Sequence, residues 1–164
     1  MKTWMIAGAA MTAVLAVPAF AQMATPTAKQ FVMKAGASDK FEIAEAKLMS
    51  GSANPDIKSF AEQMMTDHMK STEMVKAAAK DDRVMAGLPM LMPKQKSDLA
   101  RLTASKGKAR DMLYVKQQKM AHADALSLMQ TYASSGKATH LKDAAGQIQP
   151  VVQSHVDMLD KMAM

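Results

Sequence analysis

Four segments of the chain carry apolar residues at alternating spacings of three and four, the periodicity of one face of an α-helix. The clearest stripe consists of Ile57, Ala61, Met64, His68, Ser71, Val75 and Ala78. Aromatic residues make up only 4% of the chain, and β-branched residues are also few, which disfavours a fold rich in strands. The sequence therefore predicts an all-α protein.

Start and stop signals divide the chain into four long helices. We predict them at about 27–50, 55–80, 108–134 and 138–161. The second begins at Asn54-Pro55-Asp56, because Asn54 can accept from free amides, proline fits the first turn and aspartate opposes the positive helix end. Ser135-Gly136 separates the last two helices, which predicts a tight antiparallel hairpin. Pro150 lies inside the last pattern and should kink that helix.

The segment 81–107 connects the second and third long helices. It has 27 residues and contains a short helix-like piece at 97–105. A connection of that length is uncommon unless it joins distant points of the fold. It is long enough to pass from one end to the other of helices ~38 Å long. Two antiparallel hairpins joined by a long crossover form the connectivity of ferritin-like four-helix bundles. We predict that architecture.

Residues 1–21 have the anatomy of an export signal. Lys2 supplies the positive end, an uncharged run follows, and Ala19-Phe20-Ala21 gives a small-x-small cleavage pattern. The run is short for a bilayer, and no second run of about 18 apolar residues follows it. We expect a single domain over residues 22–164, periplasmic or secreted, with no transmembrane segment and a formal charge lowered from +6 to +5. An uncleaved N-terminal anchor is the alternative.

The chain contains no cysteine, although export usually leads to an oxidising compartment. Its stability must therefore come from packing or from a ligand, because no disulfide can form. A thiolate is also excluded as a nucleophile or as a metal ligand.

Three histidines, His68, His122 and His155, lie on the apolar stripes of three different helices, and the first helix offers Glu42 and Glu45. A buried imidazole must be hydrogen-bonded or metal-bound. The rise per residue places the three histidines and Glu42 at similar depths. We predict that these four side chains meet and bind one transition-metal ion such as zinc, copper or iron.

The alternative is that each histidine is a core residue without metal, hydrogen-bonded to a neighbour such as Glu42 or Asp67. Glu45 faces the same side as Glu42 or its edge, yet a carboxylate in the last turns of a helix can be solvated. His140, at a helix start, is expected on the surface.

Several short motifs resemble an exported, ferritin-like bacterial family known only as a domain of unknown function, whose members are sometimes labelled putative outer membrane protein. The motifs are Phe31, Phe41-Glu42-Ile43, Lys47-Leu48, Phe60-Ala61, Met65-x-Asp67-His68, Tyr114 with His122, and Pro150 with His155. The resemblance spans nearly all of the mature chain. It implies an exported four-helix bundle and, through more distant ferritin-like relatives, metal binding, but it supplies no activity.

The chain departs from a di-iron ferritin-like site, which needs Glu-x-x-His on two helices. Met65 and Val152 stand three residues before His68 and His155, so neither motif is present. A phosphate-cradling glycine loop, a hydrolase serine elbow and His-Glu-x-x-His are also missing from the sequence. We expect that the protein is not an enzyme.

Methionine is abundant, with 16 of the 19 methionines following the export signal. Met64, Met65, Met69 and Met120 stand close in sequence to the histidines. Thioethers are soft ligands that select Cu(I), so a copper-handling role in the envelope is open. The alternative is that methionine replaces leucine as a flexible core filler.

Basic residues concentrate in and just after the crossover. They are Lys94, Lys96, Arg101, Lys106, Lys108 and Arg110. Such a cluster can rest on an anionic envelope surface, although a solvated face is its usual meaning. No stacking aromatic residue is interleaved and no nucleic-acid motif occurs, so nucleic acid is excluded as a partner.

Two hypotheses of function remain. One is a metal-binding bundle of the cell envelope. The other is a non-catalytic structural or interaction protein of the envelope that binds no metal and buries its histidines for packing. The oligomeric state is open in both.

Overall fold

The computed structural model of the protein describes residues 24–162. Over that range the chain forms five helices and no strand, so the predicted all-α class is confirmed. The helices are α1 (Ala28–Met49), α2 (Pro55–Asp81), α3 (Pro93–Ala104), α4 (Gly107–Ser135) and α5 (Thr139–Lys161). The predicted export signal at 1–21 lies outside the described residues. No helix in the described range is long and apolar enough to cross a membrane.

The helix starts follow from local hydrogen bonds. Thr27 and Gln30 form a capping box at α1, and the Asn54 side chain accepts from the amides of Asp56 and Ile57 at α2. α3 begins at Pro93, four residues before the predicted helix-like piece, because Gln95 accepts from the amide of Met92 and proline fits the first turn. α5 runs without interruption through Pro150.

Each of the four long helices packs against two others, so that their contacts form a closed ring. α1 contacts α2, α2 contacts α5, α5 contacts α4, and α4 contacts α1. Short connections join α1 to α2 and α4 to α5, so both of these pairs are antiparallel hairpins. α3 lies against α1 and α4, where it forms part of the long connection between the two hairpins. The result is a bundle-like helical fold.

The connection between α2 and α3 is held against the first helix. Pro89 packs so closely on Gly36 that a Cβ at residue 36 would overlap the proline ring. The Lys40 ammonium donates to the Pro89 carbonyl at 2.8 Å. Glycine is therefore required at residue 36 by close approach, and the crossover runs along α1.

The basic residues of the crossover region are mostly exposed. Arg110 is half-buried, and its guanidinium donates to the backbone carbonyls of Thr103 and Ser105. Asp98 pairs with Lys94 and Arg101, which neutralises part of the cluster. Binding to an anionic surface through these residues stays a prediction.

The core is divided into two apolar clusters. One surrounds the stacked rings of Phe31 and Tyr132, whose centroids are 4.0 Å apart. The other contains Phe60, Tyr114 and Leu159. On each of the four long helices, the buried residues between these clusters include polar side chains. A polar layer therefore crosses the interior of the fold.

Asp82 joins the end of α2 to the start of α5. Its two carboxylate oxygens accept from the amides of His140 and Leu141, and Oδ1 also accepts from the His140 ring at 2.8 Å. α5 has no cap from its own preceding residue, so this distant carboxylate satisfies its free amides. His140 is exposed, as expected from the sequence.

We predict that Asp82→Ala lowers the free energy of unfolding by ~1 kcal/mol, the usual value of a helix cap. Burial raises the pKa of Asp82, but the Leu141 amide and His140 outweigh it and lower the value below 3.8. The Asp82 hydrogen bond raises the pKa of His140 above 6.5. The Asp82 contribution is therefore lost as pH falls through its lowered pKa, and the His140 contribution is lost as pH rises through its raised pKa.

Urea unfolding from pH 3 to pH 9 tests this prediction, with the neighbouring exposed Asp81→Ala as the matched control. The difference between wild type and Asp82→Ala should be greatest between the two ordinary pKa values of 3.8 and 6.5. A loss that is independent of pH, or equal to that of Asp81→Ala, would contradict this account of the cap.

Candidate metal centre

Three imidazole rings from three helices converge in the polar layer. His68 lies on α2, His122 on α4 and His155 on α5, and their ring centroids are 5.3–5.5 Å apart. One nitrogen of each ring lies within 4.8 Å of one nitrogen of each of the others. No ring is more than 4% exposed. The structure thus brings together the three histidines that were singled out from the sequence, and their role as ligands stays a prediction.

The His68 ring is oriented by α1. Its Nδ1 donates to Asp39 Oδ1 at 2.9 Å, and Thr72 donates to the other oxygen of the same carboxylate. His68 Nε2 is buried and has no hydrogen-bond partner. Burial lowers the pKa of His68, but the Asp39 hydrogen bond and the charge of Glu42 outweigh it and raise the value above 6.5.

The tautomers of the other two rings follow from their outer partners. His122 Nδ1 lies 3.0 Å from the backbone carbonyl oxygen of Gln118, which can only accept, so Nδ1 carries the proton. His155 Nε2 lies 3.0 Å from Asp67 Oδ2, and an ionised carboxylate again requires the ring to donate. In their neutral forms, His122 Nε2 and His155 Nδ1 therefore carry lone pairs.

These two lone pairs face each other across 3.3 Å. Two acceptors at that distance repel unless a proton or a cation lies between them. A proton is disfavoured here, since burial and the charges of the other two histidines lower the pKa of His122 to about 3. Burial also lowers the pKa of His155. Two nitrogens bound to one tetrahedral zinc at ~2.0–2.1 Å are about 3.4 Å apart, which is close to the 3.3 Å between His122 Nε2 and His155 Nδ1.

Glu42 lies beside the three rings. Its Oε2 is 3.9 Å from His122 Nδ1, and neither carboxylate oxygen has a hydrogen-bond partner. The carboxylate is not among the group of mutually close ligand atoms, which consists of the three histidines. Burial raises the pKa of Glu42 to about 7, with the charge of His68 acting in the opposite direction. A bound cation would stabilise the ionised form.

The sequence suggested roles for two further residues, Glu45 and Asp67. The interpretation of Glu45 as a solvated carboxylate is wrong: the side chain is fully buried and accepts from Gln118 Nε2 at 2.9 Å. Its burial follows from its position on the same face of α1 as Glu42. Asp67, proposed from the sequence as a partner for a histidine, does accept from His155.

Sequence reasoning missed two residues that orient the site. Asp39 stands three residues before Glu42, and Gln118 stands four residues before His122. Both spacings place a polar side chain on the buried face of its helix. Their spacing from Glu42 and His122 is the sequence signal that relates them to the site, although spacing alone does not show which face of α1 is buried.

The methionines near the histidines in sequence differ in their burial. Met69 and Met120 are 53% and 43% exposed. Met64 is fully buried, but it belongs to the apolar cluster with Phe60, and Met65 packs against that cluster. This arrangement supports the core-filling interpretation for Met64 and Met65, while a role in copper handling stays a prediction.

The fold and the site define an all-helical protein with a buried cluster of three histidines that could hold a metal ion. The chain belongs to the family described as Domain of unknown function (DUF4142), whose model matches residues 13–162. No curated protein and no solved structure matches the chain significantly. The family assignment carries no activity, so function must be argued from the site.

We predict that Asp39→Ala weakens binding of a divalent metal at the histidines by ~10–100-fold, the usual effect of removing an outer partner of a histidine ligand. The His68 ring would lose the acceptor that fixes its orientation and its tautomer. Zinc affinity measured by competition with a chelator tests this, with the exposed Asp124→Ala as the matched control. Equal affinities in the two variants would contradict an orienting role for Asp39.

Proposed function

We propose that this protein is an exported, ferritin-like four-helix bundle that binds one transition-metal ion within its polar layer. His68, His122 and His155 supply nitrogen ligands, and Glu42 is proposed as the fourth ligand, although its carboxylate lies outside the group of mutually close ligand atoms. The observation that carries the proposal is the 3.3 Å separation of His122 Nε2 and His155 Nδ1, which both hold lone pairs when the outer nitrogens of the neutral rings donate. A cation would accept both lone pairs and, from the neutral His68 ring, that of Nε2, which has no other partner.

The order of helices supports the ferritin-like part of the proposal. α1 pairs with α2 and α4 with α5, and the connection between the two hairpins includes α3. Long crossovers between hairpins are characteristic of ferritin-like bundles, whose metal sites lie in the core between facing helices. The histidine cluster occupies the corresponding region, at the level where both apolar clusters end.

The ligand chemistry favours a borderline divalent ion. Three imidazoles with a carboxylate suit zinc, copper(II) or iron(II), whereas Cu(I) prefers thiolate and thioether ligands. Each ring already has an outer hydrogen-bond partner, a backbone carbonyl or a carboxylate. Such partners hold histidine ligands in position and increase their basicity.

A structural role for the ion fits the burial of the site better than catalysis. His68, His122 and His155 are at most 4% exposed, and they do not line the three best-formed surface cavities among residues 24–162. A substrate would have to displace packed side chains to reach these rings. Binding an ion would stabilise the folded state, because the unfolded chain holds no such arrangement of ligands.

The second candidate function is a structural protein of the envelope that binds no metal. It is favoured by the outer partners of the histidines, since Asp39 and Asp67 each accept from one ring without an ion. In that case one of the two facing nitrogens must carry a proton. The two candidates differ in whether the stability of the folded protein depends on metal.

We predict that the full chain binds about one equivalent of zinc and that binding raises its stability by ~3 kcal/mol when free zinc is at 100 times the dissociation constant. His68→Ala, His122→Ala and His155→Ala should each lose most of this affinity and stabilisation. His140→Ala is the matched control, because His140 is exposed and pairs with Asp82 rather than with a residue of the histidine cluster. Elemental analysis and thermal unfolding with zinc, copper or iron measure both effects.

Two results would count against the metal centre. Wild-type protein from its native compartment could contain no metal and gain no stability from any of the three ions. Alternatively, the three core variants could retain the metal response of His140→Ala. N-terminal sequencing of the same native protein tests export, because cleavage before Gln22 is expected.

A further inference from the structure

A second group of polar atoms lies in the interior beside the histidines. Five oxygen atoms there are buried without a hydrogen-bond partner: both carboxylate oxygens of Glu42, Oε1 of Glu45, Oε1 of Gln118 and the hydroxyl of Tyr114. All four side chains are fully buried. Buried polar atoms are nearly always paired, so these oxygens are available to a ligand.

Helix geometry brings these four residues together. Glu42 and Glu45 are three residues apart on α1, while Tyr114 and Gln118 are four residues apart on α4, so each pair occupies one face. The two faces meet where Gln118 Nε2 donates to Glu45 Oε2 at 2.9 Å. After burial itself, the charges of Glu42 and Glu45 both raise the pKa of the Tyr114 phenol, as expected of neighbours.

The chemistry of this group differs from that of the histidine cluster. It offers carboxylate, amide and phenol oxygens and no nitrogen lone pair. The Gln118 amide nitrogen already donates to Glu45, and Lys94, the basic residue whose charge acts on Glu45, has an exposed side chain. Oxygen-only ligand sets that include two carboxylates suit hard divalent cations.

We propose that Glu42, Glu45, Gln118 and Tyr114 form a second cation site for a hard divalent ion, adjacent to the three histidines. Glu42 adjoins the histidines, because its Oε2 is 3.9 Å from His122 Nδ1. The site goes beyond the histidine centre and does not require that centre to be filled. Together the two would form an interior pair of unlike sites, one lined by nitrogen and one by oxygen.

Manganese binding tests this site. The full chain is first saturated with zinc, then titrated with Mn²⁺ while the electron paramagnetic resonance signal of free Mn²⁺ is followed. We expect about one tightly held Mn²⁺ per chain. Glu45→Gln should weaken Mn²⁺ binding by ~10-fold or more while zinc binding is kept, since it removes one ligand charge and preserves the side-chain shape. Glu62→Gln, an exposed glutamate on α2, is the matched control.

A second variant keeps the test valid if Glu45→Gln is poorly folded. Tyr114→Phe removes only the hydroxyl and should weaken Mn²⁺ binding without changing the zinc affinity. Wild type that binds no Mn²⁺ beyond its zinc overturns the proposal, and so does Mn²⁺ binding unchanged in both variants. The titration is repeated on His68→Ala: retained Mn²⁺ binding with lost zinc binding supports two separate sites, whereas wild type that binds Mn²⁺ but never zinc refutes the histidine centre alone.

Discussion

The interior of this protein contains a complete layer of polar side chains, and every such group must find a partner away from water. Asp39, Glu42, Glu45, His68, Gln118, His122 and His155 are all at most 4% exposed. Removing that many polar and ionisable groups from water is costly unless hydrogen bonds or an ion compensates. The apolar clusters on either side can stabilise the fold, but they do not explain why polar groups are buried between them. We therefore look for the reason in the hydrogen bonds and lone pairs of these groups.

Hydrogen bonds satisfy only the outer edge of that layer. Asp39 and Asp67 accept from the rings of His68 and His155, and the backbone carbonyl of Gln118 accepts from the His122 ring. The inward-facing atoms are left with lone pairs directed at one another, most clearly between His122 and His155. An arrangement with donors used outside and acceptors collected inside is what a cation-binding interior requires. The same reasoning extends from the nitrogen atoms to the oxygen atoms of Glu42 and Glu45.

Much of the fold could be predicted from the sequence, because the spacing of apolar residues and the helix start and stop signals indicate the same helices. Helix α2 has both a polar cap with proline at its start and a continuous apolar stripe. Helix α3 was harder to place, since Met92 before Pro93 is not a capping residue and Gln95 performs that role instead. The cap of α5 could not be predicted from the sequence, because Asp82 lies 58 residues before His140. Tertiary hydrogen bonds of that kind leave no local pattern.

The candidate site was only partly predictable, for a related reason. Histidine on an apolar stripe is unusual, so His68, His122 and His155 were readily noticed. Acidic residues on a helix normally face solvent, and the sequence gives no direct sign that Asp39 and Glu45 are buried. Their burial depends on how α1 is rotated against α2 and α4, which is set by packing across the whole helix. The buried face of a helix is normally recognised because it is more apolar than the opposite face. The polar residues on the inward face of α1 reduce that difference, so the rotation of α1 is hard to predict from its sequence.

X-ray absorption at the zinc edge of the zinc-loaded full chain tests the central claim most directly. The account predicts a four-coordinate ion with imidazole nitrogens at ~2.0–2.1 Å and one carboxylate oxygen at a similar distance. The multiple-scattering signal of about three imidazole rings should be present and should diminish in His122→Ala. A shell of oxygen atoms without imidazole scattering, or a spectrum unchanged by that substitution, would contradict a metal centre built on the three histidines.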